Sequence, residues 1–576
     1  MADFDSEEDS ENEGGQGNVA RVVIRPPGHS GKAKRGHLCF DASFETGNLG
    51  RVDLVSEFEY DLSIRPDTCN PRFRLWFNFS VDNVRLDQRV IFNIVNFSKH
   101  KNLFRDGMTP LVKSTSRPKW QRLPRQHVFY YQSPQHRGHH VLSFAFTFER
   151  EDDAYQFALG YPYSYSRCQA HLGLLEARRL PHFRRELVAT TVQQRRLDVV
   201  TVTHPSNMKL DGRKQHVVVL LGRIHPGESP ASFVCQGLMD FLVSSHPIAQ
   251  ILRQHIVFKI IPMMNPDGVF LGNYRSTLMG FDLNRSWNQI SPWGHPTLHA
   301  VNIMLTEFDN TKEIDLDFVL DLHAHSSLLG VFMYGNTYDD VYRYERHIMF
   351  PKMWAQNTED YVTANTMYNR DPAKAGTARR HFCNTLSKSV NCYTLEISFY
   401  GYKRPNGSEF LTYTEESYLR LGRSLARTCL DYYRAVGVVA AGLPTSPGAR
   451  ASCHSRPHRG QHLSRESSPL SARRTQERRS AITLHCHEIP TLELRLSRLS
   501  LSAGQKKLAG RKVGRPAPAC WSGTLSTAWV TPRRNEPPRL SIIDFNQLVR
   551  NGLEQATGNK RASRKSPSLY VFHGDR

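Results

Sequence analysis

The sequence predicts an α/β domain preceded by an antiparallel β-sandwich and followed by a long basic tail. Three observations predict it. Between about residues 37 and 166, apolar and polar side chains alternate with a period of two. From about 167 to 440, short apolar runs alternate with helical patterns, as in a sheet covered by helices. After about Gly442 the chain is rich in Ser, Arg, Pro and Gly and keeps no period. The implied divisions are an acidic tail over 1–18, the β-sandwich over 19–166, the α/β domain over 167–440 and a disordered basic tail over 441–576.

In order along the chain, the start is acidic and polar, the reverse of a secretory or mitochondrial targeting segment. In the sandwich region Phe58, Tyr60, Leu62 and Ile64 alternate with Glu59, Asp61 and Ser63. Phe73, Leu75, Phe77, Phe79 and Val81 form a second stripe, and Leu142, Phe144, Phe146 and Phe148 a third. Turn residues such as Arg65-Pro66-Asp67 separate them, and the aromatic stripes read as core rather than as a binding surface. Tyr161-Pro162-Tyr163-Ser164-Tyr165 closes the module. The α/β strands are expected near Val217–Leu221, His255–Ile261, Phe318–Leu322, Val331–Tyr334 and Tyr393–Ile397, with a last amphipathic helix from Tyr418 to about Val436. In the tail, Ile542, Phe545, Val549 and Leu553 within Ser541–Glu554 suggest a transient helix. His485-Cys486-His487 lacks further ligands nearby and reads as chance.

Composition narrows the class. The 576 residues hold ample core, and no run of about 18 apolar residues predicts a membrane span. Ten cysteines without a CxxC pair are expected to be reduced thiols of a cytoplasmic or nuclear protein. The net charge of +21 favours acidic partners, but much of the excess lies in the last quarter of the chain.

The chemistry begins where the Val217–Leu221 run ends. His225 and Glu228 lie between that strand and a helical pattern through Phe233, Val234, Leu238, Phe241 and Leu242. Strand ends of this kind converge on a crevice in α/β sheets, and an imidazole with a carboxylate suits Zn²⁺. Alone, this His-x-x-Glu is a weak signal that reads as a polar loop. His323 and His325 end a second strand and either could supply another ligand. Three protein ligands would leave a position for water, whose acidity zinc raises. Glu396 lies in an otherwise apolar run, a costly place for a carboxylate without a partner or a task. It could move protons as a general base. Arg275 and Arg285 follow Asn265-Pro266-Asp267-Gly268, and a planar guanidinium grips a carboxylate or an oxyanion in a way lysine does not. Either arginine by itself would read as a surface ion-pair residue.

His225-Pro226-Gly227-Glu228, Asn265-Pro266-Asp267-Gly268, Asp282-Leu283-Asn284-Arg285, Asp321-Leu322-His323-Ala324-His325-Ser326 and Thr394-Leu395-Glu396-Ile397-Ser398 follow one another in this order. The ordered set resembles the zinc carboxypeptidase superfamily. The β-module, its Tyr-Pro-Tyr-Ser-Tyr end and Val331-Phe332-Met333-Tyr334-Gly335 are similar to the cytosolic carboxypeptidase branch. The resemblance covers about residues 37–440. It implies a mixed eight-stranded α/β/α sheet and one Zn²⁺ per catalytic domain, held by His225, Glu228 and His323. It implies Glu396 as general base and acid, and Arg275 as the oxyanion donor. Asn284 and Arg285 would clamp the substrate's terminal carboxylate, and Asp282 would orient His225. Arg379, Arg380 and His381, upstream of Glu396, suit a glutamate side chain, although a solvated basic loop explains them as well. The implied activity is removal of glutamates, including branch-point glutamates, from protein C-termini or side branches. Glutamylated tubulin, microtubules or other acidic-tailed proteins are the expected partners, with neither membrane nor nucleic acid among them. A zinc amidohydrolase acting on N-acyl amino acids and a non-catalytic microtubule-binding module are the alternatives.

Overall fold

Residues 17–404 and 409–440 are described by the computed structural model of the chain. Most of the acidic start and the basic tail, including Ser541–Glu554 and His485–His487, lie outside the described residues. Among the described residues, no helix is long and apolar enough to cross a membrane, and the seven cysteines are free.

Four parallel strands form the centre of an eight-stranded sheet: Ile256–Ile261, Gln215–Gly222, Ile314–His325 and Asn391–Ser398, side by side in that order. Val217, Val219 and Leu221 enter one core with Leu298, Leu305 and Phe382. Val218 and Leu220 enter the other with Phe233, Leu238 and Leu425. A strand apolar on both sides is one covered on both sides, which is why the run lacks alternation. Helices Pro296–Asn310 and Ala378–Thr385 cover the first face, and helices Pro230–Leu242 and Glu415–Ala435 the second.

The sheet is mixed. Arg196–Val202 pairs antiparallel with Ile256–Ile261, and Phe183–Thr190 with Arg196–Val202. At the other side Val331–Gly335 pairs antiparallel with Asn391–Ser398. The two strands at the Phe183 edge are absent from the strand reading above. Arg184, Arg185 and Glu186 interrupt the first of them, as charges do on edge strands. His255 closes helix Pro247–His255 instead of opening the next strand.

The leading module is two packed sheets, with strands Cys39–Asp41, Asn78–Asp82, Tyr155–Ala158 and Leu111–Ser114 central in one, and Glu59–Ser63, Arg89–Ile94 and His140–Thr147 central in the other. Phe40, Tyr60, Phe79, Phe92, Phe144 and Phe157 fill the space between them. One pairing departs from the antiparallel expectation: Glu59–Ser63 runs parallel to Arg89–Ile94. The chain passes through Asn78–Asp82 in the opposite sheet between these two, so it re-enters in its original direction. Phe58 lies outside the core, half-exposed at a hairpin turn. Tyr274, Ala324, Phe399 and Tyr400 of the α/β domain pack into the sandwich core, so the two modules share apolar surface beside the strand ends.

Candidate metal centre and active site

The C-terminal ends of three adjacent parallel strands bring the chemistry together. After Gly222 the chain turns sharply, with Arg223 at φ 59°, a backbone region costly for a side-chain-bearing residue. The buried Arg223 guanidinium holds this turn by donating to Pro226 O at 2.7 Å, Tyr163 O at 3.1 Å and Ser232 Oγ at 3.0 Å. Gly227 lies so close to Tyr274 that a Cβ would sit 2.8 Å from the ring and 2.9 Å from its carbonyl oxygen. The turn delivers His225 and Glu228 to one point.

His323 reaches the same point from the neighbouring strand. Its Nδ1 is 3.1 Å from His225 Nδ1 and 2.9 Å from Glu228 Oε2, while Glu228 Oε1 is 2.8 Å from His225 Nδ1. All three side chains are buried. The outer nitrogens face carboxylates: His225 Nε2 is 3.1 Å from Asp282 Oδ1, and His323 Nε2 is 2.7 Å from Asp321 Oδ2. A carboxylate only accepts, so each outer nitrogen carries a proton and each neutral ring turns a lone pair inward. Two imidazole lone pairs and a carboxylate then converge with no donor among them, an arrangement that calls for a cation. Donors about 2.0–2.1 Å from a tetrahedral zinc lie about 3.3 Å apart, close to these separations. The residues therefore fit a zinc ion. In the bare protein a proton substitutes in part. Burial depresses His323, but Asp321 and Glu228 on its two sides outweigh this and hold it well above the usual histidine value.

The geometry separates the two candidate histidines. His325 Nδ1 accepts from the backbone N–H of Leu328 at 3.0 Å and of Ser327 at 3.3 Å, which caps the following turn. Burial, then the Lys99 charge, pushes His325 down to about 4.

Glu396 is the direct partner of His323 across the parallel strands, so both project from one face of the sheet. Its carboxyl is pushed up to about 8, first by desolvation, against the lowering influence of His323 and with Glu228 and Asp321 adding to the rise. Arg275 donates from Nε to Asp282 Oδ2 at 2.6 Å, and its terminal nitrogens make no other hydrogen bond among the described residues. Burial would raise the Asp282 carboxyl, yet Arg275 and then His225 hold it well below the usual carboxylate range. Asp282 thus links Arg275 to the His225 ring.

The profile described as "Zinc carboxypeptidase" matches residues 174–418, and that described as "Cytosolic carboxypeptidase N-terminal domain" matches residues 40–159. Cytosolic carboxypeptidase 6 of Homo sapiens is 58% identical over 423 residues, 73% of this chain and 84% of the relative. This chain belongs to the cytosolic carboxypeptidase family. Cytosolic carboxypeptidase 6 of Caenorhabditis elegans is 46% identical, over 70% of this chain and 88% of the relative. The expectation that the chain is cytosolic carboxypeptidase-like protein 5 is not supported, since these relatives carry the number 6, and the family is the level that stands. Among solved structures, a metallo-carboxypeptidase from Burkholderia cenocepacia shares the fold, with a TM-score of 0.58 and 21% identity over 69% of this chain and 100% of that chain. A metallo-carboxypeptidase from Pseudomonas aeruginosa gives 0.58 and 22%, over 69% and 99%.

Other candidate residues of this family member are placed as follows. Arg285 is exposed, with Nη1 donating to Asn284 O at 2.8 Å. Asn284 is buried behind the histidine. Its Nδ2 lies 3.0 Å from Asp321 Oδ2 and 2.9 Å from His323 Nε2, and its Oδ1 accepts from Ala378 N at 2.9 Å, so it braces the His323–Asp321 pair and, against the expectation that it clamps the substrate's carboxylate, has no amide group left to do so. Arg379 is a correction. It is 4% exposed and its guanidinium is spent on Gly335 O, Asn336 Oδ1, and Asn369 O and Oδ1, which leaves it tying loops together instead of meeting a substrate. His381 is turned away too, against Asn302 Oδ1 at 2.9 Å and stacked on Trp287. Arg380 is half-buried, 3.5 Å from Asn336 Oδ1. The sequence reading missed Lys374, two residues before Gly376. Lys374 is exposed, and desolvation, then the Arg285 charge, lower its ammonium. The signal was its position in the segment leading to Arg379. Tyr334 was also missed; burial, then Glu396, pushes its hydroxyl up to about 12.

Proposed function

We propose that this member of the zinc carboxypeptidases removes glutamate residues from protein C-termini or glutamate side branches, including branch-point glutamates, with glutamylated tubulin as substrate. The observation that carries the reading is the facing of Glu396 and His323 beside Glu228 and His225, with Arg275, Arg285 and Lys374 around them. A substrate with a terminal carboxylate and an acidic side chain meets three cations there, of which Arg275 is already paired with Asp282.

When bound by His225, Glu228 and His323, zinc supplies a Lewis acid for an amide carbonyl and makes water more acidic. Glu396 takes a proton from the attacking water and passes it to the departing amine nitrogen as the C–N bond breaks. The terminal nitrogens of Arg275 donate to the oxygen that gains charge in the tetrahedral stage. Arg285 holds the terminal carboxylate, and Lys374 and Arg380 read the glutamate side chain. Asp282 and Asp321 keep the two imidazole rings in orientation.

Mass spectrometry of glutamylated tubulin before and after incubation with the zinc-loaded protein tests this. Stepwise losses of one glutamate are expected, and fragmentation assigns them to linear or branch positions. An unchanged spectrum beside rapid hydrolysis of N-acyl amino acids would move the function to small-molecule amide cleavage. No turnover of either substrate, with microtubule binding that survives loss of His225, would make the protein a binding module.

A further inference from the structure

We propose that Asp67, supplied by the leading β-module, is a positioning residue for Arg275, an inference that rests on the reading of Arg275 as oxyanion donor. The Asp67 carboxylate is buried and accepts four hydrogen bonds from three consecutive residues of the α/β domain. Oδ1 accepts from Tyr274 N at 2.6 Å. Oδ2 accepts from Arg275 N at 2.8 Å, Ser276 N at 2.7 Å and Ser276 Oγ at 2.9 Å. A buried carboxylate is costly unless its lone pairs are used. Here they are used on the backbone of the segment that carries Arg275.

The α/β domain holds part of the segment, with Gly227 N donating to Tyr274 O at 2.7 Å and Thr277 N to Phe281 O at 2.9 Å. The segment lies between helix Pro266–Leu271 and the short turn Leu283–Arg285, outside any sheet. Further restraint comes from the β-module. Arg65 Nη2 donates to Leu271 O at 2.7 Å, Asn48 Nδ2 to Gly272 O at 2.9 Å and Asn70 Nδ2 to Gly280 O at 2.9 Å. Asn273 returns the contact, donating from Nδ2 to Thr68 Oγ1 at 2.6 Å. The Phe73 ring lies 5.8 Å from the Arg275 guanidinium carbon.

Asp67 stands out among these because its partners flank Arg275 on both sides and include Arg275 itself. The backbone is fixed by Asp67 and the guanidinium by Asp282. Together they leave the terminal nitrogens little freedom about the long side chain. Asn at position 67 would keep one acceptor oxygen but turn an amide N–H₂ toward backbone N–H donors. The segment would shift, and a misplacement of about 1 Å can cost on the order of 100-fold in rate.

The test is a double-mutant cycle on the full zinc-loaded chain, with a peptide ending in glutamate as substrate and kcat and KM measured separately. Asp67→Asn, Arg275→Ala and the double variant are compared, with zinc content and thermal melting recorded for each. Asp67→Asn is expected to lower kcat by about 10- to 100-fold while KM stays within about 3-fold, with zinc retained, because the oxyanion contact exists only in the transition state. In the Arg275→Ala background Asp67→Asn is expected to change kcat little, since the group it positions is gone. Ser276→Ala, which removes one of the four contacts, serves if Asp67→Asn does not fold and should show a smaller loss with the same dependence on Arg275. Losses that multiply in the double variant, or a loss carried by KM or by zinc content, would overturn the positioning role while leaving Arg275 in the mechanism. Full activity in Arg275→Ala would overturn both.

Discussion

Glu396 is the register partner of His323 in adjacent parallel strands, so the proposed proton carrier and a proposed zinc ligand are fixed by the same backbone pairing. Glu396→Gln preserves shape and changes only the ability to carry a proton. It should keep one zinc per chain and lose about 100- to 10,000-fold in kcat. Elemental analysis and steady-state rates on the same preparation check both halves. Wild-type turnover in this variant would remove Glu396 from the mechanism.

The same carboxyl sets the acid side of the rate profile. Burial and its acidic neighbours push it up to about 8 in the metal-free protein, and a divalent charge nearby brings it down. A base works only when ionised, so kcat/KM should rise with pH through this group's midpoint and level off above it. The midpoint for the zinc enzyme should lie below 8. Residual activity of Glu396→Gln should lack that rise; an identical acid limb in the variant would assign the titration elsewhere.

Removing His225 takes away one of three converging donors and leaves Glu228 and His323 unable to close the set. His225→Ala should purify without stoichiometric zinc. For the wild-type protein, chelation should lower the melting temperature and added zinc should restore it, because an ion that binds only the folded state stabilises that state. One zinc per chain in the variant, measured by elemental analysis, would break the ligand assignment.

Arg379 and Arg380 are neighbours with different expected phenotypes. Arg379→Ala leaves Gly335 O, Asn336 Oδ1 and the Asn369 acceptors without their donor, and should cost about 3 kcal/mol of stability. Arg380→Ala should melt near the wild type and raise KM for glutamate-ended peptides. Urea unfolding and peptide kinetics separate the two. A stable Arg379→Ala with a raised KM would return Arg379 to the substrate pocket.

Acid should weaken the fold through His347, which is fully buried. Its Nε2 accepts from Asn336 N at 2.9 Å and its ring stacks on Tyr393 at 4.2 Å. Burial lowers it to about 3, below the usual 6.5. The ring is neutral in the fold and takes up a proton in the unfolded chain. Its contribution is therefore present above about pH 6.5 and lost as pH falls toward 3, at up to about 1.4 kcal/mol per pH unit. His347→Gln should flatten the fall in stability between pH 6.5 and 5. An unchanged slope in denaturant titrations would show that other groups carry it.

The sequence was most legible where one segment carries a complete signal. The Val217–Leu221 run is apolar on both faces because helices cover both, and the structure extends it to Gln215–Gly222. His225 and Glu228 share a single turn, so their convergence is local. His323 against His325 was not legible from spacing: both have the parity of one strand face, and only the turn after residue 325 rotates the second ring away. Arg379 was misread because two adjacent arginines in a basic segment give no sign of which one a neighbouring loop will bury. Asp67 was invisible for a related reason. Arg65-Pro66-Asp67 reads as an ordinary turn, and its partners lie about 200 residues away.

The seam between residues 65–70 and 271–280 limits how the molecule can be cut. A recombinant fragment begun near residue 167 would lose the donors that Asn48, Arg65 and Asn70 give to the carbonyls of Leu271, Gly272 and Gly280. It would hold every side chain proposed to touch substrate and still be a poor enzyme, with the Arg275 segment less firmly held. Swapping in a sandwich from another source would succeed only if the newcomer offered the same hydrogen-bonding groups at the same places, so the two modules must change in step.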